Sequence, residues 1–102
     1  MGYIIDVTDK TFDTVVVNNK LVLVDYWAEH CTACINIINP MLQQISEDED
    51  IVICKYNVDE NTEYAKHIRS LPTLVLYRYG VPLDTIVGAV GKHKILDMIR
   101  GR

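Results

Sequence analysis

The chain has 102 residues, 49% of them hydrophobic, and a formal net charge of -4. That length suits one domain with a modest core, spanning residues 1–102, and the apolar share excludes a disordered chain. The acidic balance argues against nucleic-acid binding. No apolar run nears the roughly 20 residues that cross a bilayer, and "MGYIIDVTDK" has no signal-peptide pattern, so a cytoplasmic protein that uses no membrane is expected.

Taken in chain order, "YIID" is a short strand. Thr8 reads as a helix N-cap with Asp9 in the first turn, where negative charge suits the dipole. Phe12, Val15 and Val16 follow at helical spacing, and "NNK" closes the segment. "LVLVDYWA" is almost continuously apolar and β-branched, as in a strand covered on both faces, and only Asp25 breaks it. From Cys31 a helical face runs through Ile35, Ile38, Met41, Leu42 and Ile45 to the acidic "SEDED", with Pro40 expected to kink it.

"IVICKYNV" is a second buried strand, and "DENTEYAKHIR" reads as a short helix with Asp59 near its start and Arg69 in its last turn. "TLVLYRY" and "GVPLDTIVG" form an antiparallel hairpin across a short Gly-Pro turn. "KHKILDMIRGR" ends the chain as a helix with Ile95, Leu96 and Ile99 on one face. The order is β-α-β-α-β-α-β-β-α: an α/β domain whose alternation predicts a parallel central sheet with helices on both faces.

Chemistry concentrates in "WAEHCTAC". Three cysteines are too few for a disulfide scaffold, and a loop as short as Cys31–Cys34 gains little as a staple. A zinc site needs four ligands; this pair supplies two, Cys54 sits in a strand, and His30, His67 and His93 lack ligand spacing, so no metal is expected. Cys31 falls where a strand ends and a helix begins, and unpaired amides and the dipole there favour a thiolate. A thiolate attacks disulfides, and Cys34, one turn on, is placed to displace what Cys31 captures. Cys54 is expected to be a small core residue.

These landmarks resemble the thioredoxin family over nearly the whole chain: "VTDKTFD", "LVDYWAEHCTAC", Pro40, "KYNVDEN", "IRSLPTL", "YRYG" and "VGAVGK" stand in the family's order. The resemblance implies a thioredoxin fold, a mixed five-stranded sheet with helices on both faces and the amino-terminal strand at one edge. It implies that Cys31 attacks, Cys34 resolves, and Asp25 is a buried acid that moves the resolving thiol's proton. A carboxylate in an apolar strand is costly to ionise, which independently points to a raised pKa. Lys55 matches a lysine facing that acid and Trp27 a tryptophan packed at the site. Pro72 matches a cis-proline whose bend exposes the Leu71 backbone to an extended substrate. Gly88 and Ala89 match a small-residue segment bordering the same groove.

The chain departs from the family's "WCGPCK" at His30, at Thr32 and Ala33, and at Ile35. Ala33 restores an amide that proline lacks, and protonated His30 adds positive charge, so a lower Cys31 pKa and a more oxidising disulfide are expected. Ile35 leaves an apolar spot at the site. The expected activity is a thiol–disulfide oxidoreductase acting on disulfide-containing client proteins, as a monomer with no bound cofactor. A thioredoxin-reductase-type flavoprotein or another electron donor would recharge it. A non-catalytic binding module on the same fold is the alternative, and an oxidase or isomerase of exported proteins a more distant one.

Overall fold

A computed structural model describes residues 1–101. Five strands form one sheet in the order β1-β3-β2-β4-β5: β1 Tyr3–Val7, β2 Leu21–Trp27, β3 Val52–Asn57, β4 Thr73–Arg78 and β5 Val81–Val87. Helices α1 Phe12–Asn18, α2 Asn39–Asp48 and α3 Lys92–Arg100 cover it. The mixed sheet, the edge position of β1 and the antiparallel β4–β5 hairpin agree with the sequence expectations.

The pleat divides the core. Val22, Val24, Tyr26, Val52, Cys54 and Tyr56 point to one face, under Phe12 and Val16 of α1. Leu23, Ile53, Leu74 and Leu76 point to the other, against Ile38, Leu42 and Ile45 and against Ile95 and Met98 of α3. Met98 is more buried than Leu96 or Ile99, which completes a face that the spacing only partly revealed. Cys54 lies wholly in the core, and burial pushes its thiol up to about 12.

Four expectations need correction. Helix α1 begins about one turn late: the Thr8 carbonyl accepts the Thr11 and Phe12 amides, and Asp9 faces away toward Tyr56. Pro40 follows a π-helical segment, Cys34–Ile38, so the irregularity lies before the proline, where extra backbone length accommodates its missing donor. The hairpin turn is Tyr79–Gly80, both at positive φ (46° and 84°), and Pro82 lies in edge strand β5, whose outer side needs no donor.

The largest correction concerns "DENTEYAKHIR", which forms turns rather than a helix. Its amides are taken by distant acceptors: Asp9 carboxylate oxygens accept from Thr62 and Glu63 at 3.2 and 3.1 Å, and the Tyr56 hydroxyl accepts from Tyr64 at 2.9 Å. Only short turns remain, such as Ile68 N–H to the Ala65 carbonyl at 3.0 Å. Residues 58–72 therefore never cross the sheet. They pass over the end of β2, tied by Val58 N–H to the Trp27 carbonyl (2.9 Å), and β4 starts beside Tyr26 where β2 ends. This makes β4 antiparallel to β2 instead of extending a parallel sheet, and it brings Leu71 and Pro72 to the end of the sheet that carries Cys31.

Candidate active site

Strand β2 ends at Trp27, and the chain turns through Ala28, whose carbonyl accepts the Cys31 amide at 3.1 Å. Helical backbone starts at residue 32, so Cys31 stands at the helix tip. Cys31 and Cys34 are joined in a disulfide with Cα atoms 5.3 Å apart. The two ends differ: Cys31 is half-buried and Cys34 is fully buried. A client can therefore meet one sulfur and not the other.

The Cys34 amide donates to Cys31 Sγ at 3.2 Å. In the reduced protein this donor and the positive end of the helix both favour a Cys31 thiolate. The amide aimed at the sulfur is thus that of Cys34, and Ala33 acts through the field of the first turn. His30 Nε2 lies 3.5 Å from Asp59 Oδ2, both side chains well exposed. Asp59 offsets any positive charge on His30, so its share of the tuning is smaller than the sequence suggests. Thr32 is exposed and Ala33 half-buried beside the pair.

Beneath the helix, Asp25 is fully buried on the α2 face of β2, and neither carboxylate oxygen has a hydrogen-bond partner. Desolvation raises its pKa to about 7, opposed by the nearby charge of Lys55. Lys55 is opposite Asp25 in the β2–β3 register, its Nζ 4.0 Å from Asp25 Oδ2. That ammonium also donates to Asn39 Oδ1 and lies 4.7 Å from the Trp27 ring centroid. Lysine and acid thus meet as the sequence reading expected. Asn39 was missed, since no local pattern links it to a strand residue 16 positions away.

The Leu71–Pro72 peptide bond is cis. Leu71 precedes Thr73, the first paired residue of β4, so its backbone lies outside the ladder. The Gly88 amide donates to the Pro72 carbonyl at 2.8 Å, which joins the Gly88–Ala89 segment to this bend. Gly88 has φ of 95°, and a Cβ built on it meets nothing within 4 Å. Backbone conformation, not crowding within the protein, is what calls for glycine here. A groove of about 650 Å³ opens beside Cys31, lined by Val58, Ile68 and Leu71 and rimmed by His30, Lys66 and Arg69. Neither Lys66 nor Arg69, which the sequence placed in the last turn of a helix, was expected at the site, because only the unexpected course of residues 58–72 brings them there.

Among the described residues, no three His, Cys, Asp or Glu side chains lie together as metal ligands, and no helix is long and apolar enough to cross a membrane.

The family model described as Thioredoxin matches residues 3–101. A thioredoxin of Rickettsia bellii is 39% identical, covering 92% of this chain and 93% of that protein. One of Mycobacterium bovis is 42% identical, covering 90% and 83%. A bifunctional thioredoxin reductase/thioredoxin of Mycobacterium leprae is 39% identical, covering 93% of this chain and 22% of that protein. Among solved structures, a mutant thioredoxin from Halobacterium salinarum superposes with a TM-score of 0.89 at 30% identity, covering 96% of this chain and 88% of that one. With its cysteine pair at disulfide distance, the protein is a thiol–disulfide oxidoreductase, a protein-disulfide reductase, and the chain belongs to the thioredoxin family.

Proposed function

We propose that Cys31 is the attacking sulfur and Cys34 the resolving one. The observation that carries this assignment is their unequal burial, together with the Cys34 amide directed at Cys31 Sγ. Cys31 thiolate attacks one sulfur of a client disulfide; a Cys31–client bond forms while the client bond breaks, and one client thiolate leaves. Asp25, whose raised pKa of about 7 leaves about half of it ionised at neutral pH, takes the Cys34 proton through water. Cys34 thiolate then attacks Cys31 Sγ, closing the Cys31–Cys34 disulfide and releasing the second client thiolate. Two electrons have passed to the client.

Lys55 steadies the ionised form of Asp25 and is held by Asn39 and Trp27. Leu71 and Pro72 receive the client backbone in strand-like pairing, with Gly88 and Ala89 along the same groove and Trp27, His30, Thr32 and Ala33 around the sulfur. The cysteine pair is the only redox group the reaction needs, so no cofactor is bound. Electrons come from a thioredoxin-reductase-type flavoprotein; a relative named for both activities supports that pairing. Catalysis in the reducing direction fits a monomer working in the cytoplasm.

Insulin reduction by dithiothreitol tests this function. The wild type should accelerate it, Cys31→Ser should abolish the effect, and Cys34→Ser should accumulate a mixed disulfide with insulin. No acceleration by the wild type would favour the binding-module alternative.

A further inference from the structure

We propose that the groove beside Cys31 selects client segments with an acidic side chain next to the disulfide, and that Lys66 and Arg69 set this preference. The proposal deepens the disulfide-reductase reading and rests on it.

The groove combines two kinds of surface. Val58, Ile68 and Leu71 supply apolar walls, whereas Lys66 and Arg69 supply positive charge at the rim. No carboxylate lines it, although the chain as a whole carries a formal charge of -4. Asp59, the acid paired with a rim residue, is engaged by His30.

Lys66 and Arg69 are also uncommitted. Among the described residues, Lys55, Lys92 and Arg100 each lie within ion-pair distance of a carboxylate, and these two do not. Their position follows from the absence of a helix. Asp9 and Tyr56 hold residues 62–64 in turns, and the segment beyond folds back along the groove to Leu71.

A client strand paired with the Leu71 backbone would pass along this rim. An extended chain advances about 3.3 Å per residue, so side chains within two positions of the client cysteine reach about 7 Å to either side. An acidic side chain there meets two free cations, while an apolar neighbour meets the groove wall. Exposed charges act mainly on encounter and weaken with salt, so the preference should appear in kcat/KM and fade at high ionic strength.

The test uses disulfide-linked peptides identical except for Glu, Gln or Lys at the two positions on each side of the cysteine. Glutathione disulfide is included as a small anionic substrate. Three proteins are compared: wild type, Lys66→Glu/Arg69→Glu, and Lys20→Glu/Arg78→Glu. The last makes the same charge change where β2 begins and β4 ends, away from Cys31. The readout is the ratio of kcat/KM for Glu and Lys peptides, in which any loss of folded protein cancels.

The wild type should favour Glu peptides about fivefold at low salt, the effect of about 1 kcal/mol from exposed pairs. Lys66→Glu/Arg69→Glu should invert the ratio, the control double variant should keep it, and salt should flatten it. An equal ratio in wild type and Lys66→Glu/Arg69→Glu would overturn the proposal. So would an effect as large on glutathione disulfide as on the peptides, which would mark a small-anion site. Turnover of every peptide without preference defeats the groove assignment alone. Failure of the wild type to reduce any peptide defeats the reductase reading and this proposal with it.

Discussion

Asp25 is the residue with the clearest cost. Its carboxyl titrates at about 7 instead of the ordinary 3.8, because burial penalises the ionised form more than Lys55 favours it. Between those values the unfolded chain has released the proton and the folded chain still holds it. Stability therefore falls as pH rises from about 4 to 7, then levels off. The gap corresponds to about 4 kcal/mol. Asp25→Ala should be more stable than wild type at pH 8 by about 2 kcal/mol, once the lost packing is counted, and should lose that advantage at pH 4. Urea titrations at the two pH values check this, and equal differences would remove the buried-charge explanation. The same variant should slow insulin reduction about tenfold or more at pH 7 by withholding a base from Cys34. At the helix tip, Ala33→Pro with His30→Trp should raise the Cys31 pKa and make the disulfide less oxidising, chiefly through Ala33. Thiolate absorbance and equilibration with glutathione measure both; unchanged or opposite values would contradict it. Cys31, Cys34 and Asp25 were all visible in the sequence because each breaks a pattern: two thiols at a strand–helix junction, one acid in an apolar strand. Asn39 breaks none, and its contact with Lys55 exists only after the helix packs on the sheet.

At the scale of elements, local signals succeeded where burial is local and failed where a distant group intervened. Strands β2, β3 and β4 were legible as apolar runs because both their faces are covered. "DENTEYAKHIR" carried acids at its start and Arg69 at its end, which are the charges of a helix, yet Asp9 and Tyr56 claim its amides from across the fold. Tyr56 is central to this, donating to Asp9 Oδ1 at 2.6 Å while accepting from Tyr64. Tyr56→Phe should lower stability by about 1–2 kcal/mol and speed hydrogen exchange in residues 61–65 well beyond the change in the strands. Uniform acceleration across the protein would mean that the hydroxyl holds no particular segment. Thr8 misled for a similar reason: the neighbouring Asp9 serves the 58–72 segment, and the chain needs the intervening turn to aim it there.

For the whole molecule, alternating strands and helices revealed two covered faces, and the short turn revealed the hairpin. The direction of β4 relative to β2 could not be read that way. It depends on whether residues 58–72 traverse the sheet or stay at one end, and they stay because their hydrogen bonds lie there. One end of the sheet thus gathers the helix tip, the cis-proline bend and the rim of the groove, while Asp25 and Lys55 lie on the face beneath α2. The architecture leaves one sulfur within reach and hides the other. Limited alkylation of the reduced protein by iodoacetamide across pH, read by mass spectrometry, tests that asymmetry most directly. Cys31 should react first, with an apparent pKa below the 8.5 or so of a free thiol, while Cys34 stays protected. Equal labelling of the two cysteines, or faster labelling of Cys34, would contradict it.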